Sequence, residues 1–198
     1  AQLGLAIGGP VLLLLIGLAP WVITLLYSSA FEPAVTLLQW QTVGNVFKLA
    51  SWAIAFSIIA GARAKTFFFT ELSFNIVFLG MVFVFLPQVG LEVTAYAFVL
   101  GYLVYLTIVY VLARSIHGFR WQTLSLGLLG LHTSLGVALL VLALMAPLAA
   151  AIASPLLAAA TGLFGLRIVL SKVGKHGRLP TRMYGIFARL GWPIQSAV

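Results

Sequence analysis

The stretch TLSLGLLGLHTSLGVALLVLALMAPLAAAIASPLLAAATGLFGLRIVL, residues 123–170, decides the fold class. A bilayer core about 30 Å thick is crossed by about 20 mostly apolar helical residues, each rising about 1.5 Å. The stretch holds two such runs, Thr123 to Met145 and Leu148 to Leu170, separated only by Ala146 and Pro147. That spacing predicts a tight helical hairpin that spans a membrane twice.

Four more runs precede it: Leu3 to Tyr27, Ala34 to Ala60, Thr66 to Leu86 and Leu91 to Ala113. The break at Ser28 to Pro33 places Pro33 at a helix start, and Pro87, Gln88, Val89 and Gly90 read as a turn. The predicted architecture is therefore an all-α integral membrane protein with six transmembrane helices over residues 1–170. A basic tail, 171–198, follows. In it Pro180 and Thr181 open a short helix with Met183, Ile186, Phe187 and Leu190 at helical spacing and Arg182 and Arg189 off that face. This is the pattern of an interfacial helix; a disordered basic tail is the competing reading.

Composition agrees. Of 198 residues, 63% are hydrophobic and 7% charged, which excludes a water-soluble domain. The absence of cysteine excludes a disulfide scaffold, a thiolate zinc site and a cysteine nucleophile. Eleven Lys and Arg against three acids give a net charge of +8, but the charges are placed by topology. Arg63 and Lys65 follow the second run, Arg114 and Arg120 the fourth, and Arg167, Lys172, Lys175, Arg178, Arg182 and Arg189 gather at the end. The loops after the first, third and fifth runs have no basic residue. By the positive-inside rule both termini are expected in the cytoplasm, with anionic lipid headgroups as the default partner and no role for nucleic acid. Residue 1 is not methionine and the first run has no basic flank, so upstream chain is expected. The length of that run and the spans after it argue against a signal peptide.

The polar residues inside the runs carry the functional signal. Gln41, Asn45, Lys48 and Trp52 recur at intervals of four, three and four, a stripe about 60° wide on one helix face. Lys48 lies roughly 20 Å from either end of its helix. Facing lipid there would cost at least about 3 kcal/mol, so it is expected to face protein or a water-filled cavity. Two readings stand. Lys48 pairs with Glu71 to join two helices, or it lines a cavity, with Gln41 and Asn45, for an anionic or hydroxyl-rich ligand. Glu71 and Asn75 share a face; Glu71 reads either as a gate or ion-coupling group or as a surface carboxylate paired with Arg63 or Lys65. His132, near the middle of its run, is either a proton relay or a neutral histidine hydrogen-bonded between helices. Tyr96, Tyr102, Tyr105 and Tyr110 either line a cavity or pack.

Nothing supports catalysis. There is no Gly-x-Ser-x-Gly element, no His-Glu-x-x-His and no phosphate-binding glycine loop, and His117, His132 and His176 are too dispersed for a local metal site. No metal or cofactor is implied.

The segment QWQTVGNVFKLASWAIAFSIIAGAR (39–63), then TELSFNIVF (70–78) and VGLEVTAYAFVLGYLVYL (89–106), resembles the O-antigen and lipid-linked oligosaccharide flippases. These are the polysaccharide branch of the multidrug, oligosaccharidyl-lipid and polysaccharide exporter superfamily. The likeness runs over about Leu3 to Arg114 and is most specific at Gln39, Trp40, Gln41, Gly44, Lys48, Ser51 and Trp52. It implies a bacterial inner-membrane transporter of two helix bundles around a cationic cavity. Such a protein moves an undecaprenyl-diphosphate-linked sugar chain from the cytoplasmic to the periplasmic leaflet, alongside polysaccharide polymerase machinery. This chain would be much of the C-terminal bundle, inactive without an N-terminal one. Where the family often has an acid after Gly44, this chain has Asn45. The resemblance implies that Gln41, Asn45, Lys48, Trp52 and Asn75 line the cavity, that Glu71 or His132 gates or couples to an ion, and that Arg63 and Lys65 attract the headgroup at the mouth. The alternatives are a drug or small-molecule exporter of the same superfamily, expected to carry acids in its cavity, and a non-transporting membrane scaffold.

Overall fold

The computed structural model describes residues 1–27, 29–60, 64–174, 178–189 and 191–194. These form seven α-helices and no strand: α1 (Gln2–Leu26), α2 (Ala34–Ala60), α3 (Ala64–Val89), α4 (Glu92–His117), α5 (Thr123–Met145), α6 (Pro147–Val173) and α7 (Arg178–Arg189). A single 3-10 turn, Ser29–Phe31, precedes α2. Five of the helices, α1, α3, α4, α5 and α6, are long and apolar enough to cross a bilayer. α2 is also long enough, at 27 residues, and carries Gln39, Gln41, Asn45 and Lys48 in its first fifteen residues.

Local chemistry sets the helix ends. Between α5 and α6, Ala146 leaves helical geometry (φ −148°, ψ 78°), and Pro147 occupies the first turn of α6, where its missing N–H costs nothing. The expected turn at Pro87 is corrected: α3 continues through Pro87 to Val89. A proline this near the end removes only one terminal hydrogen bond, and the reversal comes at Gly90, with φ 74°, whose N–H donates to Leu86 O at 2.9 Å. Gly118, with φ 63°, ends α4 in the same way.

α1 is the hub. It packs most extensively on α6, then on α2 and α5, while α4 bridges α2 to α3. α3 is outermost, with Ile76, Leu79 and Phe83 exposed. Two prolines inside α1 shape these contacts, because a proline cannot donate to the carbonyl four residues earlier. Pro10 thereby releases Ala6 O, and Pro20 releases Ile16 O. Gly165 of α6 lies so close to Ala6 O that no Cβ fits there, a small-residue approach of the kind that joins membrane helices. Gln39 of α2, only 3% exposed, donates from Nε2 to Ile16 O at 3.1 Å.

At the end of the chain, α7 folds back on α6 through a buried cluster of Leu170, Tyr184, Phe187 and Ile194. It begins at Arg178, ahead of the expected start at Pro180. Met183 and Phe187 pack on α6 as expected, but Tyr184 is buried in addition, its hydroxyl donating to Leu170 O at 2.9 Å, and Ile186 is exposed. The amphipathic Tyr184 seals the contact because its hydroxyl finds an acceptor at the end of α6. Leu190 lies outside the described residues.

Candidate functional site

The polar stripe of α2 runs along the side of the helix that turns toward α4. Gln41, Asn45 and Lys48 are half-buried, and Trp52 is exposed. The Lys48 ammonium stands 4.7 Å from the Trp52 ring centre, 5.4 Å from Tyr102 and 5.9 Å from Phe98. Trp52 comes from the next turn of α2, whereas Phe98 and Tyr102 come from one face of α4. Phe74 of α3 backs this pair, 4.3 Å from Tyr102 and edge-on to Phe98 at 6.0 Å. Each ring presents negative quadrupole density to the ammonium, worth about 0.5–2 kcal/mol depending on desolvation. The cage thus holds the charge inside an apolar bundle without neutralising it. Rings attract a cation but leave its N–H donors free for an anion.

The pairing of Lys48 with Glu71 does not form: among the described residues no ion pair joins them. The Glu71 carboxylate instead accepts a hydrogen bond from the Tyr105 hydroxyl of α4. Tyr105 is almost completely buried, so its donor fixes the carboxylate against the bundle. α2 and α3 touch far less than either touches α4, which leaves a groove of about 220 Å³ between them. Trp52, Ala55, Phe56, Phe67 and Glu71 line it. Trp52 is therefore shared: it lies beside the Lys48 ammonium and walls the groove.

The remaining expected residues fall in different places. Asn75 is exposed, and its side-chain amide donates to the Glu71 backbone carbonyl at 2.9 Å, one turn back on its own helix. Lys65 is exposed at the start of α3; Arg63 lies outside the described residues. His132 is fully buried and does not line the groove. Its Nδ1 donates to Leu128 O at 2.9 Å within α5, and its ring fits against Gly9 of α1, where a Cβ would collide with it. His132 is thus hydrogen-bonded inside its own helix, not across to another, and its Nε2 has no partner among the described residues.

Phe98 and Phe74 are site residues that the sequence reading passed over. Phe98, Tyr102 and Tyr105 recur at four- and three-residue intervals, a legible stripe on α4, but an aromatic stripe does not say which helix it faces. Comparisons with protein-family models, with curated proteins and with solved structures find no match to this chain.

Proposed function

We propose that this chain is a helix bundle of a transporter that flips an oligosaccharide on a lipid diphosphate carrier, undecaprenyl diphosphate in a bacterial inner membrane, by alternating access. The single observation behind this reading is the Lys48 ammonium, held on aromatic faces with no carboxylate partner among the described residues, one turn from an open groove. A cation kept that way suits an anionic headgroup, and Trp52 offers an exposed ring on which a sugar can stack. Gln41 and Asn45 supply hydrogen-bonding groups to the same stripe, and Lys65, with Arg63, draws the headgroup toward the mouth. In this reading α2 is a sixth membrane span, the basic ends face the cytoplasm, and a second bundle completes the cavity. The same arrangement disfavours a small-cation exporter, because the one acid in the groove, Glu71, is engaged by Tyr105.

The test is Lys48→Ala and Lys48→Arg in the whole protein. Accumulation of the lipid-linked sugar in the cytoplasmic leaflet with Lys48→Ala, at unchanged protein level, is the expected result. Normal export with both substitutions removes Lys48 from the mechanism.

A further inference from the structure

Tyr184 and Phe187 turn one face of α7 onto α6, so the opposite face points away from the bundle. It carries Arg182, Ile186 and Arg189, all exposed, at intervals of four and three residues. The residues after α7 fix this orientation. Trp192 lies 6.2 Å from Phe164 of α6 in a stacked arrangement and 6.1 Å from Phe187 of α7. The Arg167 guanidinium of α6 sits 4.7 Å from the Trp192 ring and donates to Pro193 O at 3.0 Å. Arg167 is consumed in holding this clip, whereas Arg182 and Arg189 are displayed.

We propose that this displayed face of α7 docks on a bilayer surface rich in anionic phospholipid. Three observations select that occupant. α6 is apolar enough to cross a bilayer and ends at Val173, so a helix clipped to its last turns lies at headgroup depth. The charge is one-sided: no acidic residue follows Glu92 in the sequence, and Lys172 adds a further exposed cation at the end of α6. Ile186, 54% exposed between the two arginines, and Trp192, 38% exposed, give the surface apolar anchors at a level where lipid headgroups meet acyl chains. A soluble acidic partner would use the arginines but leave Ile186 in water.

The chain has no cysteine, so Ile186→Cys carries a unique fluorescent label. The labelled protein is reconstituted in phosphatidylcholine vesicles with and without phosphatidylglycerol, and quenching by brominated lipid is compared with quenching by a water-soluble quencher. With phosphatidylglycerol present, the lipid quencher is expected to dominate. In phosphatidylcholine alone, or with Arg182→Gln and Arg189→Gln, the ratio is expected to shift toward water by about fivefold per arginine lost, and Lys at both positions is expected to keep most of the selectivity. The proposal is overturned by a label equally open to water in both vesicles. It is also overturned by lipid quenching that ignores both the anionic lipid and the Gln substitutions. None of these outcomes involves Lys48, so the result is independent of the transport reading.

Discussion

At the residue scale, the chain resolves two chemical conflicts by borrowing groups from neighbouring helices. A lysine in an apolar bundle is steadied by rings, and a carbonyl released by Pro20 is capped by Gln39. Gln39→Leu removes that donor and leaves Ile16 O unsatisfied in the interior, at an expected cost of about 1–3 kcal/mol. Pro20→Ala restores a backbone N–H to the same carbonyl, so the double variant should recover most of the loss in a detergent unfolding assay; additive losses would show that Gln39 acts elsewhere. Trp52 offers a cleaner functional probe because it is exposed and little of the fold depends on it. Trp52→Leu is expected to reduce transport severalfold at unchanged thermal stability, and Trp52→Phe to retain much of it, since either aromatic face serves the ammonium. Equal activity for Leu and Trp would separate the ring from the function.

At the element scale, α1 is held by close backbone approach and α3 by little beyond α4. Gly165→Leu drives a side chain into the Ala6 carbonyl and must separate α1 from α6. The expected loss is at least about 3 kcal/mol, seen as a large fall in the detergent melting midpoint. Gly127→Ala on the open face of α5 meets no neighbour and serves as the control, with an expected change within about 1 kcal/mol. The α5–α6 hairpin was legible in the sequence because two long apolar runs leave only two residues between them. The end of α3 was not, because Pro87 is a strong breaker inside a helix and a mild one in its last turn. On α7 Met183 and Phe187 were placed correctly and Ile186 was not: spacing ranks Ile186 and Tyr184 by hydrophobicity, while packing ranks them by whether a hydroxyl can reach Leu170 O.

At the scale of the whole molecule, the transport reading requires α2 to cross the membrane with its polar stripe turned inward. Single cysteines answer this directly in a chain that has none. If α2 spans, Phe31→Cys and Leu91→Cys should label from one side of a sealed vesicle, and Lys65→Cys, Arg120→Cys and Lys172→Cys from the other. Labelling of positions 31 and 65 from the same side would remove α2 as a span and with it the membrane setting of Lys48. The structure already ties some basic ends together: Gln2 of α1 hydrogen-bonds Gln122 just before α5, and Arg120 and Lys172 line the same pocket.

The sequence by itself determined the all-helical membrane character, the positions of most helices and the singling out of Lys48. Those follow from run length and from the energetic cost of a charge in hydrocarbon, both local quantities. Only the tertiary structure decided what each polar group touches: rings, not a carboxylate, for Lys48, a tyrosine for Glu71, a glycine of α1 for His132. Helical spacing fixes the direction of a side chain around its own axis, but its partner depends on the rotation and approach of another helix, set by small residues and prolines far away in the chain.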